Sequence, residues 1–333
     1  MRIRILALLL SASTLPTAGG LQAAPGTAPD MDAYWRTFFA RPTGAPPAPD
    51  SNPLTSDKAR LGEKLFSDPR LSGDGTRACV FCHHPDKAFS DGRARGRGLD
   101  GKPLRRNVPT LLGLAWSRSF MWDGRAPSLE EQAAMPLLDR NEMAGDWRQI
   151  IMGIKRDPPL DVEFHVAFKE RPAGQPATIL AALASYVRTL VPPEAPFDAW
   201  VKGDERALTE EEKAGFRLFV GKAGCVGCHA GWRFTDDKFH DIGLRGDDPG
   251  RGAVAGGIKG LAAFKTPTLR ELPRTAPFMH DGSLATIEDV IDHYAGKLEV
   301  RPSLDSSVVR GLRLEPTEKA ALTAFLRALS SRN

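Results

Sequence analysis

Apolar positions recur at helical spacing along most of the chain, and period-two alternation is sparse, so the pattern predicts a mainly α fold. Ile179, Leu180, Leu183, Tyr186, Val187 and Leu190 share one face of a predicted helix over 176–191, which reads as the connector between two halves. After Thr286, the residues Ile287, Val290, Ile291 and Tyr294 repeat in the same way. Seven residues are close to two helical turns, so Tyr294 shares the inward face with Ile287, while His293 lies about 100° away from it. Thr209 with Glu212 forms a capping-box signature for a helix start, and a matching helix is expected near Thr55. The first apolar run, Ile5 to Leu10, follows Arg2 and Arg4 and leads into small residues up to Ala23-Ala24, which reads as a secretory signal over 1–23. That run is far shorter than the ~20 residues a membrane span needs, and no later segment is long enough. Residues 24–50, rich in proline and small side chains, read as a flexible lead with a short docking helix at Tyr34-Trp35 and Phe38-Phe39.

The same pattern occurs twice. Leu54-Thr55 through Leu65-Phe66 resembles Leu208-Thr209 through Leu218-Phe219, and Pro109-Thr110-Leu111 matches Pro267-Thr268-Leu269. Nine positions beyond each of those leucines begins a shared string, Phe120-Met121-Trp122-Asp123-Gly124 and Phe278-Met279-His280-Asp281-Gly282. An acidic helix is expected after each, near Ser128 and near Thr286. The chain therefore divides into two versions of one domain, 51–195 and 196–333.

Composition and charge add little. The 333 residues carry a formal net charge of +4, near neutral once Arg2 and Arg4 are set aside, and nothing points to nucleic acid. The cysteines change the picture. All four stand in two CxxCH strings, Cys79-Val80-Phe81-Cys82-His83 and Cys225-Val226-Gly227-Cys228-His229, one per half. In c-type attachment two thiols add to the haem vinyl groups and the adjacent histidine reaches the iron. A zinc site or a redox dithiol could use the cysteine pairs, but neither needs the histidines. With an export signal, two covalent c-type haems are expected, in the periplasm, with no cysteine left for a disulfide.

Each iron then has one protein ligand, and the sixth position decides between electron storage and small-molecule binding. Tyr294 lies fourteen positions after His280, and fourteen after Trp122 stands Pro136, which cannot ligate. Two readings of Tyr294 stand at this point, a core tyrosine with an ordinary hydrogen bond or a ligand that closes the second haem. Gln132 and Glu142 near Pro136 are either a solvated helix face or the amide and carboxylate of an open peroxide pocket.

At these residues the chain resembles the bacterial di-haem cytochrome c peroxidase and MauG superfamily over roughly residues 51–330. The resemblance rests on the two CxxCH sites, Trp122-Asp123-Gly124-Arg125, Gln132, Pro136, Glu142 and the stretch from Thr266 to Tyr294. It implies two cytochrome c-like α domains with a calcium between them. His83 would serve the peroxidatic haem, with Gln132, Pro136 and Glu142 lining its distal pocket. His229 would serve the second haem and Trp122 would relay electrons or holes between the two. Asn107 through its side chain, and Thr275 and Pro277 through backbone carbonyls, would hold the calcium. Tyrosine at 294, where ordinary peroxidases typically carry methionine, resembles the MauG branch. The stretch from Pro85 to Asn107 has no histidine to block the first haem and holds Arg93, Arg95, Arg97, Lys102, Arg105 and Arg106 instead. These bases read either as a solvated loop or as partners for haem propionates.

Three activities follow from the resemblance. One is reduction of hydrogen peroxide to water through high-valent haem iron, with electrons from a small cytochrome c or cupredoxin. The second uses peroxide to oxidise tryptophan side chains on a partner protein. The third, plain electron transfer, sits poorly with a Gln132/Pro136/Glu142 pocket.

Overall fold

The computed structural model describes residues 31–169 and 174–332, so the expected secretory signal lies outside the described residues. The fold is mainly α. The first half contains α2 (Ser56–Phe66), α3 (Leu129–Leu138), α4 (Trp147–Lys155), α5 (Pro158–Ala167) and α6 (Pro176–Thr189), preceded by α1 (Met31–Phe39). The second contains α7 (Pro196–Val201), α8 (Glu210–Val220), α9 (Gly252–Ala255), α10 (Leu272–Thr275), α11 (Ile287–Tyr294) and α12 (Pro316–Arg327). Two short strands, β1 (Phe239–His240) and β2 (Phe264–Lys265), pair antiparallel with Phe239 opposite Lys265.

Helix starts follow the local caps. Thr55 accepts from the Lys58 amide at 3.3 Å, Ser128 from Glu131 at 3.1 Å and Thr286 from Asp289 at 3.0 Å. The Thr209–Glu212 box closes in both directions, at 2.7 and 3.2 Å. Each cap satisfies an amide that the first turn leaves without a partner.

Two cores form. One draws on Leu61, Leu65, Phe66, Phe120, Leu137 and Ile179, the other on Phe197, Trp200, Phe216, Phe219, Phe234 and Phe325. In the first, α2 packs on α6, and in the second, α8 packs on α12. Both crossings are glycine-tight. A Cβ on Gly62 would stand 2.0 Å from the Ala182 carbonyl oxygen, and one on Gly215 would stand 2.0 Å from that of Ala321. Gly62→Ala and Gly215→Ala must therefore push two helices apart, which is expected to cost about 1–3 kcal/mol or more each. Urea titration of each variant checks this, and an unchanged midpoint in both would show that the crossings have slack.

One expectation changes. Helix α6 does not connect the halves. It belongs to the first core, where Ile179, Leu183 and Val187 are buried and Arg188 holds Glu130 of α3 through two hydrogen bonds of 2.8 and 3.0 Å. The connection is the short run after it, leading into α7. The short docking helix expected within the lead is present. Its aromatic stretch forms α1, and Phe39 is fully buried in the second core against Phe197, Phe216 and Phe234. Four aromatic rings in nine residues offer enough apolar area to dock so short a helix.

The halves meet along a reciprocal seam. Gly124 and Gly282 both adopt left-handed backbone, φ 67° and 66°. A Cβ on Gly124 would strike Phe239 of the second half at 2.2 Å, and one on Gly282 would strike Ala94 of the first at 2.1 Å. Arg106 reinforces the seam, bonding Asp123 at 2.6 Å and Asp248 at 2.8 Å.

Candidate functional site

A cavity of about 690 Å³ opens between the halves and is bounded by both CxxCH strings. Cys82, His83, Cys225, Cys228 and His229 line it, while Cys79 stands just behind, packed on the first core. Each string begins as a single 3-10 turn, Cys79–Phe81 and Cys225–Gly227, which brings its histidine back over its cysteines. The His83 amide donates to the Cys79 carbonyl at 3.0 Å and the His229 amide to that of Cys225 at 2.9 Å.

The two histidines are held alike. Nδ1 of His83 lies 2.8 Å from the Phe89 carbonyl oxygen, and Nδ1 of His229 lies 2.9 Å from that of Phe234. Both phenylalanines sit in left-handed backbone, φ 59° and 56°, which turns those carbonyls toward the rings. A carbonyl fixes the proton on Nδ1 and leaves the Nε2 lone pair free as a ligand. Burial pulls His83 down to about 4 and lowers His229 as well, so both rings are neutral, as coordination requires.

The buried thiols point the same way. Burial pushes Cys79 and Cys225 up to about 12 and Cys82 up to about 11, opposite to the lowered values of a reactive dithiol. Among the described residues no group of three or more His, Cys, Asp or Glu side chains is arranged to hold a metal ion, which leaves the four-cysteine zinc reading without a site. Two cysteines beside a neutral imidazole at each end of one apolar cavity fit haem.

The two ends differ in what faces the histidines. At the first, Gln132 and Pro136 stand one turn apart on α3 and Glu142 follows in the loop after it, all lining the cavity. Burial raises the Glu142 carboxyl above the usual range, with the Asp139 charge adding to the rise and Arg125 opposing it. At the second, Tyr294 ends α11 and lines the cavity, its phenol pushed up by burial and by the neighbouring thiols of Cys225 and Cys228. No described residue is hydrogen-bonded to its hydroxyl, so the ordinary core hydrogen bond has no partner among them. His293 does not follow its helical angle. It is buried rather than off the packed face, and Nε2 lies 2.9 Å from the Ile242 carbonyl oxygen, which its helical angle gave no sign of.

Trp122 lines the cavity at the seam, its indole donating to the Asn107 carbonyl at 2.9 Å and its own carbonyl accepting from Lys265 at 2.8 Å. Asn107, Thr275 and Pro277 border the same cavity. The Asn107 amide donates to the Arg93 carbonyl at 2.8 Å and the Pro277 carbonyl at 3.3 Å. Rotated, the amide would turn its own oxygen toward those carbonyls, an all-oxygen set of the kind calcium takes. The basic loop divides. Arg106 is engaged in the seam, while Arg93, Arg95 and Arg97 are exposed, with no ion pair among the described residues.

The chain resembles known proteins along most of its length. The profile of the di-haem cytochrome c peroxidase family matches residues 56–206. The chain is 45% identical to the methylamine utilization protein MauG of Methylorubrum extorquens, covering 96% of this chain and 91% of that one. It is 33% identical to the cytochrome-c peroxidase IdrP1 of Denitromonas iodatirespirans, over 98% of this chain and 93% of that one. A crystal structure of a MauG-like protein associated with microbial copper homeostasis superposes with a TM-score of 0.80 at 30% identity, covering 87% of this chain and 94% of that one.

Proposed function

The chain belongs to the di-haem cytochrome c peroxidase family, an oxidoreductase family acting on peroxide, and from that premise we propose that it is an exported c-type cytochrome that reduces hydrogen peroxide at its first haem site. The observation that carries this reading is the asymmetry of the cavity. Identical histidine mounts face a proline, an amide and a carboxylate at one end and a tyrosine at the other.

Cys79 and Cys82 would hold the first haem with His83 as its ligand, and Cys225 and Cys228 the second, with His229 and Tyr294 as ligands. Bound there, the haem irons supply the electrons that cleave the peroxide bond. The chain's own groups do the rest. Pro136, which cannot ligate, would leave the first site open to a small ligand. Gln132 orients the incoming peroxide by hydrogen bonding. Glu142 takes the proton from one peroxide oxygen and returns it to the other, which leaves as water. Trp122, at the seam between the sites, is suited to pass charge between them. Asn107 with the carbonyls of Thr275 and Pro277 would hold one calcium, tying the loops on both sides of the seam.

The domain scheme is a signal over 1–23, a lead over 24–50, a first haem domain over 51–195 and a second over 196–333, the two domains being copies of one unit. The matched glycines Gly62 and Gly215 and the matched histidine mounts support common descent. Export implies the periplasm. No helix among the described residues is long and apolar enough to cross a membrane. Electrons would come from a small cytochrome c or cupredoxin. The second reading, peroxide-driven oxidation of tryptophan side chains on a partner protein, is favoured by Tyr294 and by the 45% identity to a MauG protein.

Two measurements test the proposal. From a host able to attach haem, denatured protein should keep its haem stain and show the mass of the polypeptide plus two haems. Electron paramagnetic resonance of the oxidised protein should show one high-spin and one low-spin centre. Fewer than two haems would overturn the covalent sites, and two low-spin centres with no high-spin species would overturn the open first site.

A further inference from the structure

One pair of indoles in contact is present among the described residues. Trp116 of the first half and Trp232 of the second meet edge to face, centroids 4.9 Å apart and planes at 84°. Their chain neighbours line the cavity, Leu114 and Ser117 on one side and Arg233 on the other, but the indoles themselves do not. Both rings are partly exposed. They therefore stand one layer outside the cavity wall, between it and solvent.

The pair is well anchored. Arg233 reaches across the seam to the Trp116 carbonyl at 3.2 Å, and Arg270 holds the Trp232 carbonyl at 2.8 Å. Trp232 lies in the turn that runs from His229 to the Phe234 carbonyl holding it. The same wall reaches Trp122 through Lys265, whose amide donates to the Trp122 carbonyl at 2.8 Å and whose ammonium donates to the Ser117 hydroxyl at 3.2 Å. The Arg41 guanidinium lies 5.2 Å from the Trp232 ring centre. A cation over a π face disfavours positive charge on that ring, so of the two indoles Trp116 is the easier to oxidise.

We propose that Trp116 and Trp232 form an outward oxidation site, where oxidising equivalents generated in the cavity are discharged to a bulky reductant, such as a protein side chain, that cannot enter. This rests on the peroxide reading above and adds the place of contact. Hydrogen peroxide accepts two electrons and two protons and leaves as two waters. Each electron comes from an indole, which is then refilled by one electron from the reductant, so two such transfers balance one peroxide. With no reductant present, the indole gives up two electrons and two protons in all and takes the oxygen of one water, leaving a hydroxylated tryptophan.

The test is to add hydrogen peroxide alone to the full-length di-haem protein and map the added oxygen by peptide mass spectrometry. Modification concentrated at Trp116, with less at Trp232, is the expected result. Arg41→Gln should shift the balance several-fold toward Trp232. In Trp116→Phe/Trp232→Phe, the lifetime of the peroxide-oxidised state should lengthen several-fold, read from the haem absorbance. Oxygen found on the cavity methionines Met121 and Met279 with both indoles intact, and an unchanged lifetime in the double variant, would overturn the proposal alone. A wild-type haem spectrum that does not respond to peroxide would overturn the peroxide reading and this one with it.

Discussion

Glu142→Gln is expected to slow peroxide cleavage by about 10²–10⁴-fold while peroxide still enters the pocket, because the amide keeps the shape of the side chain but cannot carry a proton. The same group sets a pH dependence with a definite sign. Burial raises the Glu142 carboxyl, the Asp139 charge raises it further and Arg125 opposes, so it takes up its proton at a higher pH than a free glutamate, which titrates near about 4.3. Only the ionised carboxylate can accept the peroxide proton. Cleavage should therefore be fastest above the raised value and fall as pH drops through it, and the glutamine variant should lack that acid limb. Gln132→Ala should have a smaller effect, since an amide on α3 orients the ligand without moving its proton. Stopped-flow rates across pH decide the matter. A variant within about twofold of the parent, or one that keeps the acid limb, would take Glu142 out of the chemistry.

What could be read from the sequence follows how local each feature is. The helix starts near Thr55, Ser128, Thr209 and Thr286 are set by neighbours a few residues away, and the helices begin where expected. The pairing of Pro136 with Tyr294 came from counting fourteen positions beyond Trp122 and His280 in the two matched strings. Features set by distant partners were not. His293 is off the apolar face by helical angle, yet it is buried because the Ile242 carbonyl, on another segment, accepts its ring. The connector role given to α6 failed for a related reason. An apolar face says that a helix is covered, not which core covers it. Gly62 and Gly215 each stand four residues before the phenylalanine of a Leu-Phe pair, a signal present in the sequence, but only the close carbonyls of Ala182 and Ala321 give it meaning. The Trp116–Trp232 contact joins the two halves, and no spacing within either one predicts it.

Tyr294→Phe removes one oxygen and keeps the ring, and its expected effects separate a ligand from a packed side chain. A tyrosine that merely made a hydrogen bond would lose ~1 kcal/mol of stability and leave the haem spectrum unchanged. The hydroxyl belongs to a side chain on the cavity wall near Cys225 and Cys228. If Tyr294 ligates, the second iron loses a hard anionic donor. Its reduction potential should rise, because such a donor favours the higher oxidation state, and its low-spin signal should be lost unless another group moves in. Of the two candidates for that, His293 is committed to the Ile242 carbonyl, whereas Met279 lines the cavity in left-handed backbone. Replacement by Met279 would restore a low-spin centre but with a neutral ligand, so the potential should stay high in either case. The oxidised state that follows peroxide should become short-lived, while the first reaction with peroxide at the Glu142 end continues. Cleavage and storage would then come apart in one variant. Redox titration with paramagnetic resonance, and rapid-mixing absorbance after peroxide, read these effects independently. A variant with the parent's potential, the parent's low-spin signal and an equally persistent oxidised state would show that Tyr294 is no ligand, and would set the chain closer to the ordinary peroxidases than to the MauG branch.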